Sequence, residues 1–450
     1  MTARIASVTA IRPETLEEKA VWYYLLGTYG WYLLGAQYLL VWGLAWGLTA
    51  YLVWRWWWPV VSGRRSPADQ GITEVRVPLP VWIWIATMVA MLVPIAIGHL
   101  NFQLGLPRIV ASTVEWSREW ALFALFPLIG CFRIRPQVLY RGVSIVCVQS
   151  LFVAALCYAA ALVGLPEDVY VSPLSVGGGG TQLYSVSLYL QEYGSAIPRL
   201  YLFAPWCPAL GSVGAMYFFL ANRDPDPRWR WFGCLGAAVM VVSSVSRLAI
   251  IALPLAAIAT WYLVNIARPA VLMASAFGSF GLGAIAPLLT NVLGAWWQQF
   301  RSLRADSSNV REAINRIGLY RWWNDAPMWG HGLVAPGLSV THGMPIGTHN
   351  TWIGLLFRHG IVGCTLFTIP AVWSAAHLLL LARDKATARV AIAAGAVLVM
   401  FTLSETIESL AYLYWPGLVI FGIAFRESMP AGDRPRLLSH QTSPPQPSHP

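Results

Sequence analysis

Charge is scarce in this chain of 450 residues: 11% of its residues are Asp, Glu, Lys or Arg, against roughly 25% in soluble globular proteins. That scarcity excludes a soluble multidomain enzyme. Acidic residues are the rarer kind, so the formal net charge is +10. On a soluble domain such a surplus would suggest nucleic acid, but in a chain that is 57% hydrophobic its distribution over loops says more than its total, and no nucleic-acid partner is expected. Cysteine is scarce as well. Cys131, Cys147, Cys157, Cys207, Cys234 and Cys364 fall in or at the ends of apolar runs without CxxC spacing, which supports neither a disulfide framework nor a zinc site. The strict apolar-polar alternation of a membrane β-barrel is missing, since Ile392 to Phe401 and Leu248 to Val264 are apolar all round. Gly177 to Gly180 has no GK[ST] after it, so it is no phosphate loop and reads as a flexible hinge.

Long apolar runs are abundant. A helix needs about 20 residues to cross a bilayer, and runs near that length lie at about 34–54, 80–98, 117–132, 142–164, 200–221, 231–246, 248–266, 270–293, 354–382, 389–403 and 410–425. The expected fold is therefore an all-α polytopic membrane protein of about 11–12 transmembrane helices. The twelfth arises if the first run begins near Val21 and turns back around Gly30 to Gly35. Glu14, Glu17 and Glu18 precede that run and no small-residue cleavage site closes it, so the first helix is expected to be retained. Placing the tail in the cytoplasm gathers Arg55, Arg64, Arg65, Arg76, Arg133, Arg135, Arg141, Arg223, Arg228, Arg230, Arg268, Arg383, Lys385 and Arg389 on the same face, as the positive-inside rule requires. The chain divides into N-terminal spans (1–230), a second membrane region (231–425) and a Pro- and Ser-rich tail (426–450) that reads as disordered.

Two loops then face outward, 165–199 and 294–349, and both exceed the usual connection of about 4–6 residues. The second holds Arg301, Arg304, Arg311, Arg316 and Arg321. On a helix Arg304 and Arg311 lie about 20° apart, so one face could grip a multiply charged anion through guanidinium forks, or else rest on anionic headgroups. Arg247, in VMVVSSVSRLAIIALP, is either a functional arginine at the membrane border or a snorkelling residue of a short outside turn. His349 and Asn350 stand where a loop meets the helix that begins at Thr351. The positive end of that helix disfavours imidazolium, leaving a neutral imidazole able to act as a general base, or an incidental loop histidine. Glu405 and Glu408, in LSETIESL, are neighbours on a helix that could orient an acceptor, bind a cation or pair with a loop arginine. Arg118 with Glu119, and Arg358 beside His359, read as interfacial anchors. Trp56 to Trp58 and Trp322 to Trp323 fit an aromatic belt, and the latter pair could also stack on a sugar. His331 and His342 are weaker candidates, and no HExxH pattern joins the three loop histidines. Neither long loop holds a DxD-like pair. Asp224 and Asp226 have that spacing, but RDPDPR reads as a turn on the inner face. No metal and no cofactor are expected.

The segments SSVSRLAI, NVREAINRIGLYRWWNDAPMWGHG and GTHNTWIGLLFRHGIVG together resemble the O-antigen ligase and polysaccharide polymerase superfamily over about residues 231–425. The resemblance implies a transferase at the periplasmic face of the bacterial inner membrane. It would move a saccharide from an undecaprenyl-diphosphate carrier to a glycan or lipid A core acceptor, with polysaccharide chain-length or export proteins as partners. In residue terms it implies His349 as the base that activates the acceptor hydroxyl, and Arg247 and Arg311 as holders of the diphosphate. Arg304, Arg316 or Arg321 remain alternatives to Arg311. Arginines in a water-poor site can stabilise the charge that grows on a departing diphosphate. The competing expectation is a transporter or flippase of lipid-linked saccharides or anions, which would show internal repeats and midplane ionisable residues. No repeat is visible, and the candidates gather at one face.

Overall fold

The computed structural model describes residues 11–62, 76–192, 197–302 and 305–429. Arg64, Arg65, Arg304 and the tail beyond Met429 lie outside them. Helices dominate: α1 (Leu16–Leu26), α2 (Thr28–Leu33), α3 (Gln37–Ser62), α4 (Leu79–Ala90), α5 (Leu92–Asn101), α6 (Leu106–Arg118), α7 (Leu122–Gly130), α8 (Pro136–Val163), α9 (Cys207–Ala221), α10 (Pro227–Ser243), α11 (Arg247–Asn265), α12 (Pro269–Ser302), α13 (Ala305–Asp325), α14 (Thr351–Leu381), α15 (Ala386–Thr402) and α16 (Ala411–Arg426). Among the described residues five helical stretches are long and apolar enough to cross a membrane: Leu79–Asn101, Pro136–Val163, Arg247–Asn265, Pro269–Leu288 and Thr351–Leu381. With almost no sheet, the chain is an all-α polytopic membrane protein.

The centre of the bundle is α16, buried along its whole length, as expected of a helix that is apolar all round. It packs on α7, and α10 packs on α8 and α9. Small residues set the α7–α16 approach: a Cβ on Gly422 would sit 1.9 Å from the Pro127 carbonyl oxygen and one on Gly130 2.3 Å from that of Val419. Without a hydrophobic drive between helices in lipid, such close van der Waals packing holds them together. By contrast α11 leaves Ile250, Ile251, Leu255, Ile258 and Trp261 exposed, the surface of a helix that meets lipid.

In three dimensions some of these expectations change and others stand. The run read as one span over 117–132 holds only the last two residues of amphipathic α6 and then the nine-residue α7, because the chain leaves helical geometry at Glu119 (φ −116°, ψ −84°). The early apolar run turns back at Gly35, whose φ of +62° is one that glycine adopts without steric cost. The glycine run is a pinned turn rather than a hinge: the Tyr184 hydroxyl donates to the Gly178 carbonyl at 2.8 Å, and Arg118 donates to that of Gly177. Its loop also carries two short antiparallel pairs, β1 (Asp168–Val171) with β2 (Ser185–Ser187) and β3 (Tyr189–Leu190) with β4 (Arg199–Leu200). At the opposite end Asp224 receives a two-pronged bond from Arg141 (2.7 and 2.9 Å) and Asp226 caps α10, so the DPD segment is a turn. Arg55–Glu17 (3.2 Å) and Arg135–Glu18 (2.8 Å) tie α1 down at that end.

Candidate active site

The outer loop 294–349 is largely helix. Val310, Ala313, Ile314 and Gly318 are buried, the 3–4 spacing of one apolar stripe, and they seat α13 on α14. This seating turns Arg311 inward: its Nη1 donates to the Ser404 carbonyl (3.1 Å) and its Nη2 to Oε1 of Glu405 (3.3 Å). Glu405 is buried and also accepts from the Trp206 indole at 3.0 Å. Burial pushes its carboxyl up from the ordinary range, and Arg311, Trp206 and Arg199 pull against that rise. The Thr351 hydroxyl donates to the Glu405 carbonyl (2.7 Å) and accepts from the Ile407 amide (3.0 Å), joining the start of α14 to the turn before α16.

His349 sits directly before that start. Asn350 is the N-cap, its side chain accepting from the Ile353 amide (3.1 Å) and donating to the Leu403 carbonyl (3.2 Å). The backbone of His349 is left-handed, φ +62°, a conformation that costs a non-glycine residue roughly 1–3 kcal/mol and recurs at functional sites. Its imidazole is lowered to about 4, first by burial and then by the Arg311 guanidinium. The ring is therefore neutral at neutral pH.

Arg247 reaches the same end of the bundle from α11. Residues 244–246 form a short turn: Val245 has a φ of +47°, rare for a β-branched residue, and Ser246 caps α11 with Arg247 as its first residue. A cation at a helix N-terminus opposes the dipole, so anions are the natural ligands of this position. The turn is held by Arg199, which donates from Nε to the Ser244 carbonyl (3.1 Å) and pairs with Glu192 (2.5 Å). The charge of Arg199 also lowers the Glu405 carboxyl, as that of Arg311 does for both Glu405 and the His349 imidazole. Sequence reasoning missed Arg199, Trp206 and Thr351. Their only signal was position, at the end of a long loop or on the first turn of a span. The other loop arginines diverge: Arg316 is exposed beside His342, whereas Arg321 pairs with Asp325 (3.6 Å) and lies over the Phe357 ring (5.4 Å). Trp323 is exposed, and the Trp322 indole donates to the Pro327 carbonyl.

Arg358 and His359 are not interfacial anchors. Both are buried, and Arg358 faces three carboxylates: Glu408 (2.8 Å), Glu115 (3.5 Å) and Glu119 (3.8 Å). The cause is a break in α14 at Gly360, whose φ is +65°. There the loop 327–332 supplies the missing backbone partners. The His331 and Gly332 amides donate to the Phe357 and Arg358 carbonyls (2.8 and 2.9 Å), while the Ile361 and Val362 amides donate to the Pro327 and Met328 carbonyls (3.0 and 3.3 Å). Irregular backbone at this depth is tolerated only where such groups are satisfied. His331 stacks between Phe357 and Phe102 (centroids 4.3 and 4.9 Å). The break locks the outer loop to α14 and so fixes the helix start that carries His349. Glu408 thus belongs to this buried cluster, and Glu405, three residues away, to the site above.

Among the described residues no group of three or more His, Cys, Asp or Glu is arranged to hold a metal. No curated protein matches the chain. Residues 232–368, which open in α10, carry Arg247, Arg311 and His349 and end within α14, match the family model described as O-antigen ligase.

Proposed function

We propose that this chain is a glycosyltransferase of the bacterial inner membrane, working at the periplasmic face. It moves a saccharide from an undecaprenyl-diphosphate donor to a hydroxyl of a glycan acceptor. The observation that carries the reading is the neutral imidazole of His349 beside Arg311, a guanidinium that buried Glu405 orients. His349 accepts the proton of the acceptor hydroxyl, whose oxygen attacks the anomeric carbon. The bond from that carbon to the diphosphate oxygen breaks, the electron pair leaves with the diphosphate, and the anomeric centre inverts. Arg311 and Arg247 stabilise the departing charge in a setting poor in water.

A base near 4 is a weak one, and general-base catalysis is most effective with a pKa near the working pH. The donor itself offsets part of this, the share due to the guanidinium, while burial, the larger cause, remains. A diphosphate held by Arg311 offsets the charge that depresses His349 and raises its basicity when substrate is bound. Whether the acceptor is a lipid A core sugar or a second lipid-linked chain distinguishes ligase from polymerase.

The test is reconstitution in vesicles with a polyprenyl-diphosphate saccharide and an acceptor glycan. The expected products are free carrier diphosphate and a lengthened or newly attached glycan. His349→Ala is expected to lower turnover by about 10²–10⁴, the usual contribution of a general base, with the protein still folded in the membrane. Donor that crosses the bilayer intact would favour a transporter, and full turnover in the variant would remove His349 from the mechanism.

A further inference from the structure

A second polar site lies at the far end of the bundle. Between the C-terminal ends of α9, α11 and α14 and the start of α15 is a cavity of about 550 Å³ lined by Arg223, Arg268, Arg383 and Arg389 with Thr260 and Trp261. It is separated from Arg247 by the length of α11, about 28 Å at 1.5 Å per residue. Arginines near helix C-termini can simply satisfy the last carbonyls, and Arg389 does so, donating to the Ala382 and Arg383 carbonyls (2.7 and 2.8 Å). The side chains of the other three make no such bond, and none of the four forms an ion pair with a described carboxylate, including neighbouring Asp384. The Thr260 hydroxyl is buried without a partner among the described residues. Four guanidiniums therefore converge on one space whose charge no ion pair among the described residues neutralises.

We infer that this cavity binds the phosphate headgroup of an anionic phospholipid. Guanidinium forks match phosphate oxygens geometrically, and basic pockets between membrane helices on the cytoplasmic side suit headgroups with more than one phosphate. The source is a lipid rather than a free anion because Trp261 and Ile258 continue the exposed apolar face of α11 beside the cavity. A ligand with a charged head and acyl chains meets both surfaces at once. The bound lipid would staple α9, α11 and the α14–α15 turn, three elements joined there by no ion pair among the described residues.

Native mass spectrometry of the full chain tests this after exchange into discs of phosphatidylcholine alone or with cardiolipin. The expected result is retention of one cardiolipin in preference to phosphatidylcholine. Arg268→Ala with Arg383→Ala should weaken it by about 30-fold, two charges at about 1 kcal/mol each with 1.4 kcal/mol per factor of ten. Thr260→Val should weaken it less. Equal retention of the zwitterionic lipid by the unaltered protein, a comparison that needs no variant, would overturn the inference. So would unchanged cardiolipin binding in a folded double variant. Displacement of cardiolipin by millimolar inorganic phosphate or pyrophosphate would overturn the lipid assignment in favour of a soluble anion.

Discussion

The protonation of His349 can be measured without knowing the substrate. Diethylpyrocarbonate modifies only the neutral imidazole, so the ratio of its modification rates at pH 5 and pH 7 reports the neutral fraction. An ordinary histidine at 6.5 is about 3% neutral at pH 5 and gives a ratio near 0.04, whereas one lowered to about 4 gives about 0.9. Burial slows both rates and cancels in the ratio. Peptide mass spectrometry assigns the adduct to His349. Arg311→Gln removes the second of the two causes and leaves burial, so the ratio should fall between these limits. The same shift links to stability. The folded value lies below the unfolded one, so the native state binds fewer protons between about 4 and 6.5. Stability from this residue is complete above pH 6.5 and is lost as pH falls toward 4, by about 3 kcal/mol at most. A ratio near 0.04 in the unaltered protein would refute the reasoning, and an Arg311→Gln ratio equal to wild type would remove the guanidinium from it.

The remaining tests concern charge geometry and backbone. Arg247→Lys keeps the charge but not the fork, and donor use in the reconstituted assay should drop steeply; wild-type kinetics would reduce Arg247 to a snorkelling anchor. Arg358→Ala strands Glu408 and Glu119 in a buried site, a change that costs about 3–5 kcal/mol. Its thermal midpoint should fall well below that of Arg358→Ala combined with Glu408→Leu. Gly360→Ala places a Cβ 2.2 Å from the Met328 carbonyl oxygen at a φ of +65°, so strain of roughly 1–3 kcal/mol adds to displacement of the 327–332 loop. Limited proteolysis of that loop should speed up, and an unchanged digestion pattern would show that the break does not hold it.

Much of this protein could be read from its residues alone. Scarce charge and long apolar runs dictated a helical membrane protein, since only helices and closed barrels satisfy the backbone in lipid. Position alone singled out His349 and Asn350 at a helix start and Arg247 at a membrane border. Periodicity could not find the breaks at Glu119 and Gly360, because both lie inside runs whose composition stays compatible with one helix. Nor could spacing separate Arg311 from Arg316 and Arg321. That choice depends on which face of α13 packs on α14, a property of two elements far apart in the chain. Arg199 joined the site for the same reason, since a buried guanidinium takes partners wherever folding brings acceptors, here Ser244 and Glu192. Local chemistry determined what each segment is, whereas the long-range pairing of buried charges, whose cost when unpaired is too high to leave to chance, was decided only by the assembled bundle.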